Sequence, residues 1–331
     1  MSRRAGARTP RATSPTIADV AAAAKVSAST ASRAFNHPHL LREETVTRVK
    51  AAADALGFRH NQHAKALSTG RSSALGLIVP DLSNPFFPPL VHAAQLTAES
   101  QHYSLYILSS ERNAARERQL ATVVSRDVAG LILASPRMST THIQEVAEQV
   151  PTVLINRQIT GMSSVLVSAA PAITDAVAKA AEHEVAGVAY IGSDEQWWPN
   201  IERETRAREE AAKRSLPYRR LRLSEPTYEN ARRLMLSMDY RPGELLIAFD
   251  DIVAHGVVDG MGARGHHAPR DFRVLGCDDA LPINTHPALA TVHLDTRTAA
   301  RIAVDLLLAQ GRGDEAQNVT VTGVYRRGQT I

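Results

Sequence analysis

The chain of 331 residues has one cysteine, few aromatic residues (5%) and no apolar run long enough to cross a bilayer. Each shortage excludes something. A lone Cys277 cannot close an internal disulfide, and it fits a reducing compartment. Without about 18 consecutive apolar residues, no transmembrane helix is expected. The first residues, MSRRAGARTPRATSP, are basic but no apolar segment follows, so no secretory signal is expected. Metal-ligand spacing is also missing: His37-x-His39 and His266-His267 have no cysteine partners and read as loop histidines. GMGARG at 260–265 has the glycine spacing of a dinucleotide loop, but it follows a helical stretch and precedes HHAPRD, so it reads as a turn. The acid pairs Asp250-Asp251 and Asp278-Asp279 have no accompanying Ser–His or metal constellation. No enzyme activity and no cofactor are expected.

What is present is unevenly distributed. Residues 1–73 hold twelve Lys and Arg against four acids, a net +8, while the other 258 residues carry a net −4. A basic head on a mildly acidic body points to a polyanionic partner for the head. After Pro15 the chain reads TIADVAAAAKVSASTASRAFN. Thr16 suits an N-cap, and Ile17, Val20, Ala21 and Ala24 recur at helical spacing. A turn at Lys25-Val26 leads to Ser27, which can cap a second helix. On that helix Ala31, Ala34 and Phe35 face inward and Ser29, Arg33 and Asn36 share an outer stripe. A third helix follows in EETVTRVKAAADALGF, with Val46, Val49, Ala53 and Leu56 as its apolar stripe and Gly57 as its stop. Three short helices with a tight first turn make a helix-turn-helix, whose second helix enters the major groove. There Arg33 can donate two hydrogen bonds to a guanine edge.

From Leu75 onward short apolar runs alternate with helical stretches: 75–79, 104–108, 130–134, 152–155, 188–191, 245–249 and 273–276. That alternation predicts βαβ units and parallel sheets, which bind ligands beyond the carboxyl ends of their strands. The segments after those runs are PDLSNPFF, Ser109-Ser110, SPR at 135–137, Asn156-Arg157, GSDEQWWPNIER, Asp250-Asp251 and Cys277-Asp278-Asp279. Arginine, asparagine, aspartate and aromatic side chains converging there suit a polar, hydroxyl-rich small molecule.

The head motif, followed by GFRHNQHAKALSTGRSSALGLIVPDLSNPFF, resembles the LacI–GalR family of transcription regulators from Thr16 to about Val324. The resemblance implies an all-α helix-turn-helix headpiece plus a bilobed, periplasmic-binding-protein-like α/β effector core. It divides the chain into a basic tail (1–15), a DNA-binding domain (16–60), a hinge (61–73) and a core (74–331). The core's lobes are 74–168 with 296–322, and 169–295 with 323–331. Ala28, Ser29 and Arg33 fall at base-reading positions, and Thr16, Ser27, Thr30, Ser32 and Asn36 at backbone-positioning ones. In the hinge, Asn61 and Ala64 belong to the DNA-facing set, and Leu67 matches the leucine that wedges into a base step from the minor groove. In the core, Asn84, Phe86 and Phe87 match the first effector loop, Arg157 the arginine after the fourth strand, and Trp198, Asn200 and Arg203 a W-x-N-x-x-R pattern. Asp250 and Asp278 match polar residues of the distal lobe.

The sequence departs from the family pattern at several points. Lys25 stands at a turn position that is usually glycine. Val167-Ser168-Ala169 replaces a V-D-N segment, Arg206-Ala207 a G-[FY] pair and Cys277 an aromatic. The C-terminal residues lack leucine heptads and give no support for a tetramerising coiled coil. The expected protein is a cytoplasmic homodimer, nucleoid-associated when bound to a near-palindromic DNA operator. It is expected to act as a repressor, controlled by a sugar-like effector, without membrane association. The alternative is a solute-binding protein of transport that shares only the core.

Overall fold

The computed structural model describes residues 15–36, 38–58, 72–194, 197–281 and 285–331. Asn61, Ala64 and Leu67, with most of the expected hinge and the side chain of Asn36, lie outside them. The chain divides into two compact units, Met1–Arg71 and Ser72–Ile331.

In the first unit three helices, α1 (Ile17–Ala23), α2 (Ala28–Asn36) and α3 (Glu43–Leu56), enclose a small core. Its buried members are Val20, Ala21, Ala24, Ala31, Ala34, Val49 and Ala53. Five alanines among the seven let the helix axes approach closely. Thr16 and Asp19 form a reciprocal capping box at the start of α1. The turn passes through Lys25 at φ +53°, a left-handed conformation imposed on a side-chain-bearing residue. Arg48 Nε donates to the Ala24 carbonyl at 3.1 Å and ties α3 to that turn. Gly57 closes α3 at φ +64°. Leu56, expected in the apolar stripe, is 41% exposed. The helix ends there, and Phe58 turns back to meet Phe35 with ring centroids 5.9 Å apart.

The second unit contains two parallel sheets. The first comprises β1 (Ala74–Val79), β2 (Ser104–Ser109), β3 (Gly130–Ala134), β4 (Thr152–Ile155), β5 (Ser163–Ser168) and β11 (Asn318–Thr322), ordered β11-β5-β4-β3-β1-β2. It is accompanied by α4 (Phe87–Ser100), α5 (Ala114–Val124), α6 (Thr140–Ala147) and α11 (Thr296–Gln310). The second sheet has β6 (Gly187–Ser193), β7 (Tyr218–Leu223), β8 (Glu244–Ala248) and β9 (Arg273–Leu275), ordered β7-β6-β8-β9. Its helices are α7 (Ala170–Ala181), α8 (Trp198–Lys213), α9 (Tyr228–Ser237) and α10 (Asp251–Gly262). An antiparallel pair, β10 (Thr291–His293) with β12 (Val324–Arg326), completes the unit.

β1, β3 and β4 are buried at every position, as continuous apolar strands covered on both faces must be. The strands that lacked an apolar run in the sequence are β5, β7, β10, β11 and β12. β7 and β11 are sheet edges whose YRRLRL and NVTVT sequences carry polar residues on a partly solvated face. In each sheet the strand order reverses beside its first strand, between β1 and β3 and between β6 and β8. Such switch points open a crevice at the strands' carboxyl ends. No helix among the described residues is long and apolar enough to cross a membrane.

Candidate functional site: a reading helix and an inter-lobe cleft

In the head, Ser27 Oγ accepts the Thr30 N–H at 3.1 Å and lies 2.9 and 2.8 Å from the Ser29 and Thr30 hydroxyls. This cap fixes the start of α2. Ala28, Ser29 and Arg33 are exposed on it, and Thr30 and Ser32 are half-buried. Arg33 stands one turn beyond Ser29, so both project from the same outer face. Thr16 is exposed at the first turn of α1.

The cleft of the second unit is lined by residues that follow β1, β2, β3 and β4 in one sheet and β6, β7, β8 and β9 in the other. Asn84, Phe86, Phe87, Arg203 and Asp278 reach it, together with Arg112, Arg137, Trp197 and Phe249. Asn84 Oδ1 accepts the Phe86 N–H at 2.9 Å, which turns Phe86 and Phe87 into the cleft, edge to face at 5.0 Å. Arg203, 3% exposed on α8, donates to the Phe249 carbonyl and pairs with Asp278 Oδ1 at 3.1 Å. Phe249 lies parallel to Trp197, centroids 5.4 Å apart and planes 8° apart. The Arg137 guanidinium lies over the Trp197 ring, 4.1 Å from its centroid, and that of Arg203 over the Phe249 ring, 4.8 Å from its centroid. Each ring of the pair thus carries a guanidinium against it. The chamber that remains encloses about 40 Å³, room for water and not for a monosaccharide.

Backbone strain collects at the same place. Arg112, Ser135, Asn156 and Asp278 all line the chamber, and all have positive φ. Side-chain-bearing residues held there cost roughly 1–3 kcal/mol each and cluster at functional sites. Asp250 N-caps α10, its Oδ1 accepting the Val253 N–H at 2.8 Å. Its other oxygen is buried beside Asn84 and Asp278, and burial pushes its carboxyl upward against the Val253 N–H and the Arg203 charge. Burial likewise lifts the neighbouring Asp251 to about 7.

Four residues singled out from the sequence do not line this chamber, Asp250 among them, which lies beside Asn84 and Asp278 in a small adjoining space. Trp198 lines a separate outer groove, and the indole facing the chamber is that of its neighbour Trp197. Arg157 also borders the groove, with its guanidinium donating to the Pro136 and Met138 carbonyls and the Thr140 hydroxyl. Asn200 is fully buried behind the wall, accepting from the Tyr190 hydroxyl and donating to the Ser193 carbonyl. The chamber residues not chosen from the sequence include Arg112, Arg137, Trp197 and Phe249. Each stands just after a strand end, but no spacing distinguishes a stacked ring from a solvated one.

The Val167-Ser168-Ala169 departure is accommodated from another helix. Glu202 of α8 accepts from Ser168 Oγ at 2.6 Å and from the Ala170 N–H at 2.9 Å, supplying the carboxylate that the local sequence lacks at the start of α7. Arg206 pairs with Glu209 and Glu210, and Ala207 is fully buried.

Residues 16–61 match the family of bacterial regulatory proteins known as the lacI family, and residues 177–330 match a periplasmic-binding-protein-like domain. The head is a LacI-family helix-turn-helix. The chain is 26% identical over 303 residues to catabolite control protein A of Priestia megaterium, covering 88% of this chain and 91% of that protein. It is 29% identical over 313 residues to the HTH-type transcriptional regulator GalS of Salmonella typhimurium, covering 90% of each. A solved lac repressor dimer bound to operator and the anti-inducer ONPF shares the fold with a TM-score of 0.84, at 19% identity, over 96% of this chain and 99% of that one. The chain thus joins a LacI-family DNA-binding helix-turn-helix to a periplasmic-binding-protein-like core.

Proposed function

We propose that the chain is a LacI-family regulator, a homodimeric, cytoplasmic repressor that binds a near-palindromic operator, with an affinity set by a small polar effector held between the lobes of its core. The carrying observation is the pairing of an exposed reading helix with a strained, aromatic-walled cleft in one chain. Ser29 and Arg33 face outward from α2, while Arg203, Asp278 and Phe249 face the cleft. In this reading residues 16–60 bind DNA, 61–73 form the hinge and 74–331 bind effector and dimerise. Arg33 reads a guanine, Ala28 and Ser29 touch neighbouring base edges, and Thr16, Ser27, Thr30, Ser32 and Asn36 hold the phosphate backbone. Asn61, Ala64 and Leu67 make the hinge contacts. Asn84, Phe86, Phe87, Arg203 and Asp278 contact the effector together with Trp197 and Phe249 once the lobes part to enlarge the chamber, Asp250 lies beside Asn84 and Asp278, and Arg157, Trp198 and Asn200 support the walls.

The effector is sugar-like, because aromatic faces beside an Arg–Asp pair suit an apolar ring face with hydroxyls at its edge. It must favour one lobe arrangement over the other, since equal affinity for both would switch nothing. Selection of duplex DNA from a random pool at fixed salt tests the operator reading, with a recovered near-palindrome as the expected outcome. Arg33→Ala should then lower affinity for that site by about 1–3 kcal/mol and relax preference at one base pair in each half-site. Unchanged preference in a competition assay would remove Arg33 from the reading role.

A further inference from the structure

Among the described residues the chain passes between the two lobes of its core three times: from β5 into α7 at 168–170, from β10 into α11 at 294–296, and from β11 into β12 at 322–324. The crossings are tied to one another. The Gly323 N–H donates to the Ser168 carbonyl at 2.7 Å and joins the third crossing to the first. A side chain at Gly323 would meet Leu294 at 2.6 Å and Val292 at 2.9 Å, so only glycine seats the third crossing this closely against the second. Two residues of the cleft are joined to this bundle. Asp278 reaches the second crossing through its backbone, its N–H donating to the Val292 carbonyl at 2.8 Å and its carbonyl accepting the Leu294 N–H at 3.4 Å. Arg203, the ion-pair partner of Asp278, follows Glu202 on α8, and the Glu202 carboxylate holds the first crossing through Ser168 Oγ and the Ala170 N–H. We propose that Glu202 is a positioning residue that couples the effector cleft to the lobe crossings and, through them, to operator affinity. The proposal rests on the effector-control reading above and names a residue that transmits it.

The connections form a closed ring. From the Arg203–Asp278 pair one arm runs through the Asp278 backbone to residues 292–294, and the other through α8 and Glu202 to residues 168–170; Gly323 joins their far ends. An effector that takes over hydrogen bonds of Arg203 or Asp278 changes the geometry of that pair. The shift of Asp278 passes to the second crossing by backbone bonds. A shift of the Arg203 side chain alone would be absorbed in its rotamers, but a shift of α8 carries the neighbouring Glu202 with it. Glu202 touches the last residue of β5 and the first of α7, so it spans the crossing itself and not one lobe of it. Hydrogen bonds to a carboxylate are roughly twice as strong as neutral ones. Ala169, at the N-cap of α7, offers no side-chain cap, and without Glu202 the Ala170 N–H keeps only a 3.3 Å approach to Ser168 Oγ. Glu202 is thus the side chain through which movement of α8 reaches the first crossing.

The test is a double-mutant cycle on operator affinity, with the full chain and the duplex recovered by selection. The cleft is perturbed without an effector, by Asp278→Asn and, separately, by Phe249→Leu, so that one variant serves if the other does not fold. At least one of them should shift operator affinity by about fivefold or more in the parent protein. In the Glu202→Ala background the same change should shift it by less than about twofold. Glu202→Gln, which keeps an acceptor for Ser168 and Ala170, should restore most of the shift. Melting curves show which variants are folded. Amide exchange reads the clamp directly and needs no DNA: Glu202→Ala should speed exchange at Ala170 and Gly323 by about tenfold, and Glu202→Gln by much less. A Glu202 that only stabilised α7 would lower the melting temperature on replacement and leave the cycle additive, which overturns the coupling. A cleft-induced shift that survives in folded Glu202→Ala, or Ala170 exchange that does not change, overturns this proposal and leaves effector control standing. Folded cleft variants that move operator affinity in no background overturn both.

Discussion

The reading helix of the head presents Ser29 and Arg33 to water, whereas the cleft holds Arg203 and Asp278 almost wholly away from it. The difference sets how each surface fails. An exposed arginine on a helix can be removed with little effect on the fold, because its unfolded and folded environments are alike. A buried arginine is part of the fold, because its partners have no water to fall back on. The head is also local: its caps, turn and core all lie between Thr16 and Phe58. The cleft draws on segments from Pro80 to Asp278 and exists only once both sheets are formed.

The largest expected effect tests the cleft side of this contrast. Arg203→Ala leaves the Phe249 carbonyl and the Asp278 carboxylate buried without their donor, and should cost the core about 3–5 kcal/mol in denaturant unfolding. A loss below about 1 kcal/mol would mean that the cleft is wet and the contrast false. Glu210, 1% exposed on α8, sharpens the comparison through pH. Lys213, Arg214, Arg206 and Thr174 surround it, and the Lys213 and Arg214 hydrogen bonds hold its carboxyl down at about 2 against the usual 4.5, in opposition to its burial. Its contribution is therefore present above about pH 4.5 and lost as pH falls towards 2. Glu210→Gln should destabilise the core by about 2 kcal/mol at pH 7 and by much less near pH 2. Parallel pH–stability curves for the two proteins would exclude that role.

On the head side the effects shrink. Thr16→Ala removes the capping box of α1 and should cost about 1 kcal/mol. It should shift amide-exchange protection in residues 17–24 and leave the core's melting unchanged. Smallest and opposite in sign, Lys25→Gly relieves a positive φ and should raise head stability by about 0.5 kcal/mol, the relief being offset in part by glycine's greater unfolded-state freedom. A loss of stability instead would show that the Lys25 side chain, not the backbone, matters at the turn.

Of the seven strands legible as apolar runs, β1, β3, β4, β6 and β8 are buried at every position, as strands covered on both faces must be, whereas β2 is an apolar edge strand that leaves Tyr106 and Ile107 exposed. β7 and β11 were not legible, because an edge strand need satisfy only one face. Glu202 was equally hidden: it serves the start of α7 from the start of α8, 32 residues away from the N–H that it accepts.

By itself the sequence determined the helix-turn-helix, the basic head and the parallel-sheet core with candidate residues at its strand ends. Caps, helical periodicity and apolar runs act over a few residues and need no distant partner to be read. Only the tertiary structure decided that Trp197, and not Trp198, stacks on Phe249, that Asn200 is spent on Tyr190 and Ser193, and that Arg112, Arg137 and Arg157 come to border one groove. Those outcomes depend on how two sheets face one another, and ring stacking, burial and charge balance are properties of residues brought together from far apart in the chain.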